Sequence, residues 1–160
     1  MAIYVNEAGA AVARAIKSAG LFFAVGNGAT GWDELPASED PASSVLVSLV
    51  GARAADLIQY CLPDEEGEIN VSSGRYAASE TPTRYLYVRA TFDEPDAAGE
   101  TLREAAVYVG LSRRPEVPPS QYYLSPADIL DVGTLMLLNH FTAIPKTGDF
   151  SFTLDFVLSL

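Results

Sequence analysis

The first segment of the chain has the hydrophobic spacing of an amphipathic helix. Asn6 is a residue type that caps helices, and Gly20 is a residue type that ends them. The segment from Asn6 to Ser18 is therefore predicted to be a helix. Its apolar residues recur three and four positions apart and form a narrow stripe: Val12, Ala15, Ile16 and Ala19.

A second helix is predicted from Pro41 to Val50. Asp40 precedes Pro41, which is the order of a capping residue and a proline at the first helical position, and Gly51 follows the last residue. The valines of this segment are poor helix formers. Its apolar residues nevertheless share one side of a helix: Leu46, Leu49 and Val50.

After Gly51 the spacing of the apolar residues changes to two, which indicates β-strands. Between Arg84 and Phe92, one face of the predicted strand is apolar and the other is aromatic and polar. The last strand alternates up to Leu160, so its apolar face is expected to be buried against the core or a partner. The predicted strands are Leu21–Val25, Ala54–Leu62, Glu68–Val71, Arg84–Phe92, Thr101–Val109, Gly133–Thr142 and Phe150–Leu160.

These elements predict an α+β fold, mainly an antiparallel β-sheet or sandwich with one or two N-terminal helices. Residues 1–110 are predicted to form a core domain that contains the helices and the antiparallel strands. Residues 111–132 carry four prolines and are predicted to be a proline-rich arm with one helical turn at Pro126 to Leu130. Residues 133–160 are predicted to be a C-terminal β-hairpin that completes the sheet or docks a partner.

Composition and charge narrow the classes of partner. The chain has 160 residues, of which 49% are hydrophobic, and this suffices for one ordinary core. The formal net charge of −11 disfavours nucleic acid and anionic membranes as partners and suits a basic protein surface. The N-terminal segment has neither the pattern of a signal peptide nor that of a membrane span.

The run Gly26-Asn27-Gly28-Ala29-Thr30-Gly31 satisfies the G-x-G-x-x-G pattern of dinucleotide sites. Its context does not, because Pro36 follows too soon for a full helix and the following strands look antiparallel. We therefore predict that these glycines turn the chain, with positive φ angles at Gly26 and Gly28.

The remaining candidates for chemistry favour structural roles. His140, the single histidine, lies in a predicted strand without a serine elbow elsewhere, and the single Cys61 is expected in the core. The acidic residues from Asp64 to Glu68 lack the alternating ligand pattern of a calcium loop. No catalytic, cofactor-binding or metal-binding residue is predicted.

The aromatic residues leave two functions open. Exposed aromatics on strands and loops suit either carbohydrate stacking or protein interfaces, in which tyrosine and tryptophan are enriched. Composition alone does not separate the two. The residues concerned are Trp32, Tyr76, Tyr85, Tyr87, Tyr108, Tyr122 and Tyr123.

Three motifs in order resemble a known family. They are an F-A-V-G-x-G strand and turn at Phe23–Gly28, an L-V-x-x-x-G-R helix end at Leu46–Arg53 with Ala52 inserted, and an I-R-E-x-G-V-Y strand at Leu102–Tyr108. This ordered set resembles the baseplate and tail-fibre-attachment proteins of contractile-tailed bacteriophages and related injection systems. The resemblance spans about residues 21 to 110. Ala106 stands where the family has glycine, and Ser48-Leu49 stands where it has an asparagine and an acid.

The resemblance implies a non-enzymatic virion protein of the tail or baseplate, present in several copies and made in the host cytoplasm. Its partners would be other tail proteins, with no nucleic acid, membrane insertion or cofactor. A carbohydrate-binding module of a receptor-binding tail protein is the alternative. Arg103 and Glu104 point to opposite faces of a strand, so one is expected to pair inside the subunit while the other reaches a neighbour. The interface candidates are Arg103, Glu104, Arg113, Arg114, Tyr122, Tyr123, Phe152 and Phe156.

Overall fold

A computed structural model describes all 160 residues and shows one α-helix and two five-stranded β-sheets. The helix α1 is Asn6–Ala19. The strands are β1 Leu21–Gly26, β2 Leu49–Ala54, β3 Leu57–Pro63, β4 Ile69–Val71, β5 Gly74–Ala78, β6 Tyr85–Phe92, β7 Glu100–Val109, β8 Ser112–Arg113, β9 Tyr123–Leu124, β10 Ile129–Asp131, β11 Thr134–Lys146 and β12 Phe152–Ser159. The pairs β1–β2, β1–β7, β7–β11 and β3–β6 are antiparallel, which confirms the predicted α+β class with a mainly antiparallel sheet.

The chain divides into two compact units, each built from separate segments. Unit 1 comprises residues 1–20, 55–90 and 153–160, and unit 2 comprises residues 21–54 and 91–152. These boundaries do not coincide with the predicted ones at residues 110 and 132. The structure contains no helix with the length and hydropathy of a membrane-spanning segment.

Unit 1 contains α1 and a sheet with the strand order β12-β6-β3-β5-β4. Helix α1 ends at Ala19, one residue beyond the predicted Ser18, and Gly20 follows as the predicted stop with a φ angle of +84°. Its buried face consists of Gly9, Ala13 and Ile16, whereas Val12 of the predicted stripe is 41% exposed. The prediction included Ile16 but missed Gly9 and Ala13, and a glycine carries no hydropathy signal. Asn6 is the first helical residue rather than the cap, and Val5 occupies the cap position without a side-chain hydrogen bond.

Strand β6 confirms the predicted alternation within unit 1. Leu86, Val88 and Ala90 are fully buried. Tyr87 lies on the face predicted to be polar but is itself buried, and it packs in a cluster with Cys61, Ile69 and Tyr76. Burial raises the pKa of the Cys61 thiol to about 11, which agrees with the core position predicted for this residue.

Unit 2 contains a sheet with the strand order β11-β7-β1-β2-β9 and the small pair β10-β8. Strand β7 pairs with both β1 and β11, and seven of its residues are buried in succession. Because successive side chains of a strand point to opposite faces, both faces of β7 are covered along this stretch. A core cluster forms around it from Ala24, Leu46, Ala52, Ala106, Tyr108, Val117, Leu124 and Ile129.

The predicted helix from Pro41 to Val50 is wrong. The carboxylate of Asp40 accepts a hydrogen bond from the N–H of Ala42, and the segment makes a turn instead of starting a helix. The N–H groups of Leu46, Val47 and Ser48 then bond to distant side chains, and β2 begins at Leu49. Tertiary hydrogen bonds have replaced the helical ones, in a segment whose valines favour extended structure.

The predicted C-terminal hairpin is also wrong. Strand β11 lies in the sheet of β7, and β12 lies in the sheet of β6, so the two final strands do not belong to the same sheet. Period-two alternation identifies a strand but not its neighbour in the sheet. The predicted strand Ala54–Leu62 corresponds to β3, whereas β2 was not predicted because its first residues fell in the predicted helix, and β5 was not predicted either.

Candidate functional site

The loop that joins β1 to β2, residues 27–48, is held by a buried carboxylate; we call it the anchored loop. The Glu104 side chain comes from β7 and is fully buried. Its Oε1 atom accepts hydrogen bonds from the N–H groups of Gly28 at 3.2 Å and Ser48 at 2.9 Å. Its Oε2 atom accepts one from Val47 at 3.1 Å. Both ends of the loop are thus fixed to the same carboxylate.

Tyr108 extends this anchoring by one residue. Its hydroxyl oxygen accepts a hydrogen bond from the N–H of Leu46 at 3.1 Å. Three consecutive N–H groups at the end of the anchored loop therefore bond to two side chains of β7. Burial raises the pKa of the Tyr108 phenol, and the charge of Glu104 raises it further.

Arg103 secures the first part of the anchored loop. Its Nε atom lies 2.6 Å from the Asp33 carboxylate, and its Nη1 atom donates to the carbonyl oxygen of Asn27 at 2.9 Å. Only 10% of the Arg103 side chain is exposed. The contacts that the structure shows for Arg103 and Glu104 are internal. A contact of either residue with a neighbouring protein stays a prediction.

The glycine-rich run does turn the chain, but Gly26 and Gly28 serve different purposes. Gly28 has a φ angle of +59°, as predicted. Gly26 lies at the end of β1 without a positive φ, and a side chain there would collide with the Glu104 carboxylate and with the Ser48 carbonyl oxygen at 2.7 Å. The N–H of Gly28 thus binds a carboxylate of its own chain, in the way that such loops bind phosphate elsewhere.

His140 holds the middle of the anchored loop to strand β11. Its N–H donates to the Glu39 carboxylate at 2.8 Å, which lowers the pKa of that carboxyl group. Its Nδ1 atom lies 2.7 Å from the Ala37 carbonyl oxygen, and because a carbonyl only accepts, Nδ1 carries the hydrogen. The Trp32 ring packs on the imidazole with 4.3 Å between centroids. His140 is a half-buried strand residue, as predicted.

The anchored loop presents apolar side chains to the solvent. Val45 is 57% exposed and Val47 is 64% exposed, whereas Leu46 between them is buried at 6%. This alternation turns the two valines to the same outer side. Leu35 on the same loop is 82% exposed. Sequence analysis missed the outward direction of Val45 and Val47 because it assigned the segment from Pro41 to Val50 to a helix.

The proline-rich arm, residues 111–132, folds onto unit 2. Strand β9 pairs with β2, and Leu124 is fully buried in the core cluster together with Val117. Arg113 donates to the carbonyl oxygens of Pro118 and Gln121, and Arg114 donates to that of Ala127. Both guanidinium groups therefore hold the arm in shape. The predicted helical turn is present as a 3₁₀ turn at Pro126–Asp128.

The two tyrosines of the arm differ in exposure. Tyr122 is 65% exposed, and the guanidinium carbon of Arg53 lies 5.8 Å from its ring centre. Tyr123 is half-buried, and burial raises its pKa to about 12, with the charges of Asp96 and Glu100 acting in the same direction. Among the aromatic interface candidates, Tyr122 is the exposed one.

A second set of buried charges in unit 2 was not predicted. Arg53 forms ion pairs of 2.7 Å with both Asp93 and Asp96. Lys146 is 1% exposed, and its ammonium group donates to the carbonyl oxygens of Asp93, Glu94 and Thr147. These contacts fix the turn before β7. These contacts could not be predicted, because a single sequence does not distinguish a buried lysine from a solvated one.

Other predicted residues lie in ordinary packing positions. Phe152 stacks on Phe92 with 5.1 Å between ring centres, and Phe156 is half-buried in β12. Among the aromatics considered for carbohydrate stacking, Tyr76, Tyr87 and Tyr108 are buried. They are therefore not available to a sugar ring at the surface.

No group of three or more His, Cys, Asp or Glu side chains could hold a metal ion. In the acidic turn that follows β3, Asp64 accepts from the N–H of Glu66. Glu68 accepts from the N–H of Ala78, which lowers the pKa of its carboxyl group. These carboxylates are used to shape the turn and the strand beside it.

The three motifs that carry the family resemblance meet around Glu104. The Phe23–Gly28, Leu46–Arg53 and Leu102–Tyr108 segments lie largely on the adjacent strands β1, β2 and β7, and their ends bond to this carboxylate and to Tyr108. No curated protein matches the sequence. The sequence matches a family described as "Baseplate wedge 3 tail fiber network component" over residues 1–160. The chain therefore belongs to this family of phage baseplate and tail-fibre proteins.

Proposed function

We propose that this chain is a non-enzymatic docking component that joins other proteins of the phage baseplate and tail-fibre network. Membership of the family makes it a structural protein of the virion tail. The proposal has four further parts. The chain docks to neighbouring virion proteins, it has no catalytic activity, several copies are arranged symmetrically, and the chain is in the host cytoplasm before assembly.

The observation that carries the proposal is the fixed presentation of apolar side chains on irregular segments. The anchored loop bonds through four N–H groups to Glu104 and Tyr108, while Leu35, Val45 and Val47 stay exposed. Binding a partner then costs little conformational entropy, because the segment is already ordered. A loop fixed in this way and left apolar outside is suited to a protein contact.

The arm offers a second contact of the same kind in unit 2. Tyr122 and Leu130 are 65% and 59% exposed, and Arg113 and Arg114 hold the arm around them. Exposed tyrosines are frequent anchors of protein interfaces. The arm therefore supports docking through Tyr122 and Leu130, while its guanidinium groups contribute by holding the arm in shape.

The proposal is tested by reconstitution. Tails are purified from a phage in which the gene for this chain has been inactivated, and the purified chain is added to them. We expect the chain to cosediment with the tails in a fixed ratio and to restore fibre attachment. A chain that stays in the supernatant, with tails that gain fibres without it, would overturn the proposal.

A further inference from the structure

The basic side chains of unit 2 are all used inside the unit. Unit 2 contains five basic and thirteen acidic residues, a formal net charge of −8. Each of the five bonds to a carboxylate or to carbonyl oxygens of the same unit: Arg53, Arg103, Arg113, Arg114 and Lys146.

The surface of unit 2 is therefore predominantly acidic, with Arg114 of the arm as an exposed basic residue, and the anchored loop is the part in which carboxylates are the only charged groups of the segment. This loop includes four acidic residues and neither lysine nor arginine. Glu34 is exposed beside Leu35, and Asp40 is exposed before the turn that leads to Val45. The exposed aliphatic side chains of the loop thus lie in a segment whose charged residues are all acidic.

From this arrangement we infer that the anchored loop docks to a protein surface with an apolar centre and a rim of lysine and arginine side chains. The inference rests on the proposed docking function and adds the chemistry of the partner. Apolar contacts at Val45 and Val47 would supply affinity, and the carboxylates around them would steer the approach of a basic partner.

A second copy of the chain does not fit this surface. Two anchored loops facing each other would bring like charges together, because the loop contains no lysine or arginine and the cation beside it, Arg103, is already paired with Asp33. Nucleic acid is disfavoured for the same reason. The occupant is therefore a different, basic protein of the same tail assembly.

The test measures binding of the full chain to purified tails that lack it, over a range of salt concentrations. Raising NaCl from about 50 mM to about 500 mM shortens the range of charge interactions, so the association rate of the wild-type chain is expected to fall. Glu34→Lys is expected to lower this rate and to weaken its salt dependence. Glu80→Lys, an equal charge change on the exposed surface of unit 1, is the matched control.

The apolar part of the surface is tested with the double variant Val45→Asp, Val47→Asp. We expect it to weaken binding about tenfold or more, as is typical of buried interface anchors. Val12→Asp on the exposed side of α1 is its control. Thermal unfolding of every variant establishes that a loss of binding is not a loss of folding.

Several results would overturn the inference. One is a Glu34→Lys variant that binds as fast as the wild type, and another is an equal loss in the control variants. A purified chain that dimerises through the anchored loop would replace the basic partner with a second copy. If the wild-type chain fails to bind the tails at all, the proposed function itself is wrong, which is a different result from binding that does not depend on this loop.

Discussion

Glu104 is a fully buried carboxylate whose identified partners are backbone N–H groups. Moving a carboxylate out of water is strongly unfavourable unless hydrogen bonds replace its hydration. Three N–H groups from the two ends of the anchored loop supply this replacement. The same bonds satisfy loop N–H groups that no strand or helix pairs, so the loop and the carboxylate stabilise each other.

Glu104→Gln is expected to lower the free energy of unfolding by about 2 to 3 kcal/mol. The side chain keeps its size, but an NH₂ group replaces one oxygen and faces an N–H donor that it cannot bind. Hydrogen bonds to charged groups contribute about 1.5 to 3 kcal/mol. Urea denaturation followed by tryptophan fluorescence measures the change.

Glu100→Gln is the matched control in the same strand. Glu100 is exposed and accepts one hydrogen bond from the Asn27 side chain at 2.9 Å. We expect this change to stay within about 0.5 kcal/mol, as is usual at surface positions. Equal effects of the two variants would show that the buried carboxylate has no special role in stability.

The roles of individual residues could be predicted from the sequence only in part. The I-R-E-x-G-V-Y motif drew attention to Arg103 and Glu104, and their opposite directions follow from strand geometry. Their partners are 56 to 76 residues away in the chain, and single-sequence periodicity does not report contacts over such distances. The sequence therefore indicated the residues and not the loop that they hold.

At the scale of elements, α1 shows how a glycine can mark a packing face. A Cβ atom at Gly9 would lie 2.7 Å from the Cβ atom of Arg84 and 2.7 Å from the carbonyl oxygen of Leu160. The helix approaches its neighbours closely because this position has no side chain. The predicted stripe, which was built from apolar side chains, shares Ile16 with the buried face, but its other members, Val12, Ala15 and Ala19, are exposed.

Gly9→Ala is expected to destabilise the protein although alanine is the better helix former. In an exposed helix the change would stabilise by about 1 kcal/mol. Here the added methyl group meets a backbone oxygen and a Cβ atom, and overpacking of this kind costs about 1 to 3 kcal/mol. Thermal unfolding shows whether the variant is less or more stable than the wild type. Ala15→Gly, at an exposed position of α1, reports the propensity effect alone, and a stabilised Gly9→Ala variant would contradict the packing described here.

Two residues of the arm allow its contribution to stability to be measured separately from its contribution to docking. Leu124 is fully buried, so Leu124→Ala is expected to lower the free energy of unfolding by about 2 to 5 kcal/mol. Tyr122 is 65% exposed, so Tyr122→Ser is expected to change it by less than about 0.5 kcal/mol while weakening binding to tails.

Deleting the arm would not make this distinction, because the deletion removes Leu124 and Val117 from the core cluster. Chemical denaturation and cosedimentation with tails are measured on the same protein samples. Tails that take up Tyr122→Ser as well as the wild type would remove the arm from the proposed docking surface.

At the scale of the whole molecule, the class of fold was predictable and the assignment of strands to sheets was not. The change of period after Gly51 correctly indicated a mainly antiparallel protein. Both β11 and β12 alternate with period two, and nothing in that alternation says which sheet each strand joins. Such information lies in side-chain packing between distant segments, which one sequence does not display.

This topology leads to a prediction about fragments. Both units include residues from beyond position 110: β9 and β11 in unit 2, and nearly all of β12 in unit 1. A fragment of residues 1–110 would leave β7 without β11, with which it pairs along most of its length, and would remove Leu124 from the core cluster. We expect the fragment to be largely unfolded, because one sheet has lost β9 and β11, the other has lost β12, and much buried apolar surface is lost with them. Amide proton dispersion in NMR spectra and the cooperativity of urea unfolding measure this, with the full chain as the control. A fragment with dispersed amide signals and a cooperative transition would instead support residues 1–110 as an independent core domain.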